Sequence, residues 1–257
     1  MSNRPIPLAE PADLGRALGL LTRLPVRVDA ARAGARGAAA GWAWPVAGAL
    51  VGGISALIGS LALGIGATPG IAAGLALGAG IVLTGALHED GLADCADGFW
   101  GGFDRARRLE IMADSRIGSY GVLALGLSLI LRWSALSALF AAGHVGGPLI
   151  AAGALARMAL PWIMHRLPNA RGGGLSAQVG RPAPETAVLA AVLGAALALF
   201  ATGPAGAAAL IAAAVAAWIA TRIAAAKIGG QTGDVLGGAA QLAEVAALAV
   251  LAAVLPG

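Results

Sequence analysis

Gly70-Ile-Ala-Ala-Gly-Leu-Ala-Leu-Gly-Ala-Gly-Ile-Val-Leu-Thr-Gly-Ala-Leu87 runs without a charge straight into His88-Glu-Asp-Gly-Leu-Ala-Asp-Cys-Ala-Asp-Gly98. The first half is of membrane length, since crossing a bilayer takes about 20 mostly apolar residues. The second half places four acidic groups in eleven residues. A carboxylate at the end of an apolar segment is costly unless it has a partner. The natural partner for a cluster of them is a hard divalent cation, and such a cation usually handles phosphate.

The rest of the chain has the composition of a polytopic membrane protein. Of its 257 residues, 58% are hydrophobic and 12% charged, against about a quarter charged in soluble domains. Mean hydropathy is +0.82. Candidate spans are 42–66, 70–87, 119–141, 146–165, 187–202, 205–226 and 236–255. They predict an all-α integral membrane bundle of about seven transmembrane helices, a single domain over 1–257. Abundant glycine and alanine predict helices packed closely through small residues. The lone cysteine, Cys95, excludes an intramolecular disulfide framework and a Cys-rich metal site. Residues 1–41 hold six arginines and no clean apolar core, so they do not read as a signal peptide.

Two kinds of loop alternate along the chain. Turns at 68–70, 143–147 and 202–206 are short and uncharged, whereas 1–41, 88–118, 166–186 and 227–235 are polar and arginine-rich. Threading the spans puts every charged loop on one side, which the positive-inside tendency makes cytoplasmic. The N-terminus is then inside and the C-terminus outside. Within 1–41, residues 14–24 read as an interfacial helix ending at Pro25. The formal charge of +4 is read as topology and lipid contact, and no nucleic-acid partner is expected because basic and aromatic residues do not interleave.

Asp90, Asp94 and Asp97 recur at i, i+4 and i+7. On a helix they fall within about 60° of one another, and such a stripe repels itself unless a cation sits among it. Oxygen-only donors favour Mg²⁺, with Mn²⁺ as the alternative. The competing reading is a solvated helix end without metal. Asp114, downstream, is a candidate to complete the shell or hold a second ion. Arg105, Arg107, Arg108 and Arg116 are candidates to grip phosphate, or, for the first three, plain topological anchors. His88 is a candidate general base, phosphate donor or helix-end group, whereas His144 and His165 have no acidic neighbours and no assigned role. Gly229-Gly-Gln-Thr-Gly-Asp-Val-Leu-Gly237 is a glycine-rich turn opening the last span, suited to meeting an anion. Asp234 within it is a metal or ribose ligand, or simply an N-cap. Arg132, Arg157 and Glu244 lie inside spans, and each arginine needs an anionic partner there. Arg171-Gly-Gly-Gly-Leu-Ser176 reads as a flexible linker or a lid.

With these residues in view, the chain resembles the cobalamin synthase (adenosylcobinamide-GDP ribazoletransferase) family. The resemblance rests on Leu21-Thr-Arg-Leu-Pro-Val26, His88–Gly98, Leu109-Glu-Ile-Met-Ala-Asp-Ser-Arg-Ile-Gly118, the Arg157 region and Gly229–Gly237, in order over nearly the whole chain. Glu89 stands where the family motif has an apolar residue, and Gln241 where an acidic one is common, so neither is expected to be required. The resemblance implies transfer of the adenosylcobinamide-phosphate group from adenosylcobinamide-GDP to α-ribazole or its 5′-phosphate, with release of GMP. It also implies a divalent cation, normally Mg²⁺, and a place in the bacterial inner membrane with the active site facing the cytoplasm. The residues would divide as follows: Asp90, Asp94, Asp97 and Asp114 hold metal; Arg107, Arg108, Arg116, Gln231 and Asp234 bind substrate; His88 or a carboxylate takes the hydroxyl proton. A homo-oligomer is compatible with the sequence. The nearest rival is a CDP-alcohol-type phosphotransferase, whose acidic signature Asp94–Gly98 begins but Phe99, Trp100 and Gly118 break. A rival of another class is a membrane transporter, which the intramembrane charges would suit.

Overall fold

The computed structural model describes residues 7–29, 33–34 and 36–256. Residues 1–6, 30–32 and 35, all in the N-terminal segment 1–41, lie outside the described residues. In chain order the helices are α1 (Ala12–Leu21), α2 (Trp44–Gly64, entered through a 3₁₀ turn at Gly37–Ala43), α3 (Pro69–Thr84), α4 (Leu87–Gly101), α5 (Arg105–Ile111) and α6 (Ser119–Ala141). Then come α7 (Gly146–Met158), α8 (Leu160–Arg166), α9 (Leu175–Val179), α10 (Pro184–Thr202), α11 (Ala205–Ile228) and α12 (Gly233–Val254). Among the described residues there is no β-strand, only an isolated bridge between Asn169 and Gln231.

Six helices are long and apolar enough to cross a membrane, or up to seven if α3 and α4 together make one broken span. The expected spans fall on these helices to within a few residues. α12 is the central element, with Ala243, Ala247, Leu248 and Leu251 in the main core cluster and neighbours in α4, α6, α7, α8 and α11. The outer helices expose Leu61, Leu123, Val192, Phe200 and Ile211, as a lipid-facing surface requires. Small residues set the close approaches: an added Cβ at Gly194 would lie 2.5 Å from Met158 Cβ.

The departure from expectation is at 88–118. Its first half is a helix, α4, and it leaves α3 at 86°. Gly85 and Ala86 both adopt left-handed backbone, with φ 63° and 58°. Their N–H groups close on Val82 O and Ile81 O at 3.1 and 2.9 Å, the paired bonds of a Schellman ending. α3 therefore stops sharply and α4 departs sideways, carrying its acidic stripe across the end of the bundle. A helix expected over 14–24 is found as α1, three residues earlier in its ending. Its Asp13 is fully buried and receives Arg36 Nη2 at 2.7 Å, Arg16 Nη1 at 2.6 Å and Trp42 Nε1 at 2.8 Å. Burial raises the Asp13 pKa, but these donors and the Glu10 N–H outweigh it and hold the group at about 2. The cluster fastens α1 to the entrance of α2.

The polar segments gather at one end of the bundle. Gln231 N–H donates to Pro168 O, and Ala170 N–H to Gln231 O, both at 2.8 Å. Arg105 joins α5 to the same place through Ile228 O and Ala170 O, at 2.8 and 2.7 Å. At the other end the uncharged turn at His144 meets the C-terminal segment at Pro256 O, 2.9 Å away.

Candidate functional site

The two motifs singled out in the sequence meet where α4 crosses α12. A Cβ added to Gly91 would lie 2.7 Å from Asp234 O and 3.1 Å from Gly237 Cα, so the two backbones touch here as only glycine permits. This contact brings Asp90 and Asp94 of α4 against Asp234 of α12. Asp234 and Asp90 are the strongest like-charged neighbours of Asp94, with Arg171 the cation it feels most. The N-cap of α12 is Thr232, whose Oγ1 accepts the Val235 N–H at 3.3 Å. Asp234 is thereby released from the capping role that its position suggested. Its Oδ2 instead takes Arg171 Nη2 at 2.8 Å and the Thr232 hydroxyl at 3.3 Å.

Arg171 reaches Asp234 because its loop is folded. Asn169 Oδ1 accepts the N–H groups of Arg171 and Gly172 at 3.0 and 2.7 Å, and its Nδ2 donates to Ser176 Oγ at 2.9 Å. The stretch 171–176, read from sequence as linker or lid, thus forms one wall of a pocket of about 190 Å³. His88, Asp90, Arg171, Ser176, Thr232 and Asp234 line its polar side. Leu20, Leu21, Trp44, Leu160, Met164 and Val179 line the other. The pocket thus joins a charged rim to an apolar chamber, the combination typical of small-molecule sites.

The remaining candidates lie outside that group. Asp97 Oδ2 accepts the Gly118 N–H at 2.7 Å and its Oδ1 the Gly121 N–H at 2.9 Å, so it caps the start of α6 from another helix. Asp114 and Arg116 pair with each other at 2.6 Å on the surface. The hydrogen bonds from Arg116 hold the Asp114 carboxyl at about 2. Arg107 pairs with Glu110 at 2.8 Å, both exposed. Arg108 braces α5 through Gly102 O and Lys227 O, each at 3.0 Å. Gln231 is buried with Oε1 unpartnered, and its backbone clamps the two loops as described. His88 is buried with Nε2 unpartnered.

Among the described residues no three His, Cys, Asp or Glu side chains converge as a ready-made metal cage. Mg²⁺ does not require one: it keeps several waters and is commonly held by one or two carboxylates plus substrate phosphates. Asp90 and Asp94, one turn apart and facing Asp234, fit that kind of site.

Behind the pocket lies a second polar group that sequence reading only half found. Arg132 Nη2 meets Glu89 Oε1 at 3.1 Å, Arg132 Nη1 meets Glu244 Oε1 at 3.3 Å, and Arg157 Nη1 stands 3.6 Å from Glu244 Oε2. Both arginines are at most 3% exposed. Two positive and two negative charges therefore balance inside the bundle, as burial demands. Glu244 is one of the anionic partners the arginines need. Glu89, set aside as an odd substitution, supplies the other, and His88 beside it lines both this cluster and the pocket.

Comparison with known proteins gives the family. The cobalamin-5-phosphate synthase family pattern matches residues 13–252. A protein of Mesorhizobium japonicum named adenosylcobinamide-GDP ribazoletransferase is 48% identical over 93% of this chain and 92% of its own length. Proteins of the same name from Bradyrhizobium diazoefficiens and Azorhizobium caulinodans are 47% and 46% identical, over 94% and 92% of this chain and 94% of each relative. No solved structure matches. Through this match over nearly its whole length, the chain belongs to the cobalamin-5-phosphate synthase family, and it is a membrane-spanning helical transferase.

Proposed function

We propose that the chain transfers the adenosylcobinamide-phosphate group of adenosylcobinamide-GDP to α-ribazole, or to its 5′-phosphate. A ribazole hydroxyl oxygen forms a bond to the phosphorus next to cobinamide. The bond from that phosphorus to the bridging oxygen breaks, GMP leaves with the oxygen, and the hydroxyl proton passes to a base. The relatives' shared name supports the overall reaction. The observation that carries the site assignment is the meeting of Asp90, Asp234 and Arg171 in the lining of a pocket that also holds Trp44, Leu160 and Met164, with Asp94 one turn along α4 from Asp90.

Asp90 and Asp94 would hold Mg²⁺, or Mn²⁺, which when bound neutralises phosphate oxygens and the departing GMP. Arg171 is placed to exchange its contact with Asp234 for a phosphate oxygen, in the two-pronged fashion guanidinium favours. The flat apolar base of ribazole suits the chamber lined by Trp44, Leu160 and Met164, which would leave its ribose toward the carboxylates. His88, at the pocket's inner end, or an Asp of the rim accepts the hydroxyl proton. Asp97 sets the position of α6, and Asp114, Arg116 and Arg107 are spent in surface ion pairs outside the pocket. The arginine-rich loops at the site's end of the bundle support a cytoplasm-facing site and N-terminus in a bacterial inner membrane.

The test is GMP release by purified protein given adenosylcobinamide-GDP, α-ribazole and Mg²⁺. GMP and a cobalamin product should form, and both should vanish with EDTA and in Asp94→Asn. GMP formation that persists in EDTA or in Asp94→Asn would overturn the site assignment. Well-folded protein without turnover would overturn the reaction.

A further inference from the structure

The face of α4 opposite the acidic stripe borders a second cavity. Leu92, Cys95 and Phe99 lie roughly half a turn from Asp90, Asp94 and Asp97. The cavity, of about 200 Å³, has no charged residue in its wall. Ala124 of α6 stands on one side, Ala220 and Ile223 of α11 on the other, Leu242 of α12 forms the floor, and Phe99 and Trp100 of α4 close the polar end. It is open to the outside of the bundle: Leu242, on the central helix, is 38% exposed and Trp100 53%. The opening therefore faces the bilayer between two membrane-crossing helices.

Cations gather at the closed end. Lys227 Nζ lies 5.6 Å from the Trp100 ring centre. Arg105 and Arg108 add two more charges, spent on carbonyl oxygens of α11. Among the described residues no carboxylate forms an ion pair with any of the three. An apolar slot ending in uncompensated positive charge at the height of aromatic side chains matches one amphiphile: a fatty chain with an anionic head. A helix from a second copy, about 10 Å across, does not enter a slot walled on both sides. Free phosphate has no use for the apolar walls.

We propose that this groove binds an anionic phospholipid of the surrounding bilayer, with one acyl chain against Leu242 and Ile223 and its phosphate on Lys227. The bound lipid then buttresses α4 from behind the face that carries Asp90 and Asp94.

The experiment uses the full chain in nanodiscs of phosphatidylglycerol and phosphatidylcholine in equal parts, with retained lipid read by native mass spectrometry. The wild type should retain one phosphatidylglycerol in clear preference to phosphatidylcholine. Lys227→Gln should reduce that preference by about fivefold, the contribution of one cation at a lipid surface. Ala124→Phe, which fills the slot, should abolish retention, whereas Val192→Phe on the exposed face of α10 should leave it unchanged. Circular dichroism and gel filtration establish that each variant is folded. Equal retention of the two lipids by the wild type would overturn the proposal even if every variant misfolds. So would undiminished retention in Ala124→Phe, or a dimer in place of bound lipid that Ala124→Phe dissociates.

Discussion

Substituting Gly91 by alanine tests whether the α4–α12 crossing sets the geometry of the reaction. The new Cβ would lie 2.7 Å from Asp234 O and 3.0 Å from Asp234 Cα, where ordinary contact begins at 3.4 Å. Both neighbours are backbone atoms, so no rotamer change relieves the overlap, and the helices must part by roughly 0.7 Å or slide. That is the scale at which misplacement of reacting groups costs about 10²-fold in rate. The overlap itself costs about 1–3 kcal/mol of stability, which leaves a folded protein. The expected outcome is therefore a kcat for GMP release lowered by about 10- to 100-fold, with a near-native circular dichroism spectrum. Gly126→Ala is the control, because an added Cβ there meets nothing within 4 Å, and it should be neutral or slightly stabilising. A Gly91→Ala enzyme within threefold of wild type would refute the reasoning, since the carboxylates of the two helices would then not need their close approach.

Arg132→Met leaves Glu89 and Glu244 with one arginine between them, and should cost about 3–5 kcal/mol in detergent-micelle unfolding. Adding Glu89→Gln restores neutrality and should recover 1 kcal/mol or more; strictly additive losses would show that the four charges are not one unit. Asp97→Asn keeps one acceptor of two, so α6 should lose about 1 kcal/mol of capping while the Mg²⁺ concentration for half-maximal turnover stays unchanged; a raised Mg²⁺ requirement would make Asp97 a ligand instead. Asp13, held at about 2 against a usual 3.8, binds its proton less readily folded than unfolded. Its stabilisation, about 2 kcal/mol, is complete above pH 5 and is lost as pH falls through 4 toward 2. The thermal midpoint should drop over that window, and Asp13→Asn should flatten the drop.

The spans were legible because a membrane crossing needs a long apolar run and little else. The carboxylate stripe was half legible: spacing put Asp90, Asp94 and Asp97 on one face, yet spacing carries no information about which of them a neighbouring helix will claim. Asp97 is claimed by the start of α6, a partner that lies more than twenty residues downstream. The turn that lays α4 across the bundle depends on a left-handed alanine at 86, a conformation that sequence does not favour and that the surrounding fold imposes. Arg171 escaped notice for a similar reason. It was visible only as one cation in a glycine-rich loop, and its importance comes from Asn169 folding that loop over Asp234.

Glu89 is the more instructive case. Judged by its own motif, it is a charge in place of an apolar residue, and setting it aside was reasonable. Judged by the bundle, it supplies the second negative charge beside two buried arginines. Arg132 and Arg157 are both buried beside a single glutamate of α12, and two guanidinium groups around one carboxylate would leave a net positive charge in a medium that does not tolerate it. Charge balance at that depth is a sum over α4, α6, α7 and α12, so an acidic residue that is anomalous on one helix is the term that brings the sum to zero. The same sum fixes α4: a helix that contributes one end of a buried ion pair cannot rotate or slide without breaking it. The glutamate that faces Arg132 therefore helps hold Asp90 and Asp94, on the other side of the same turn, toward Asp234.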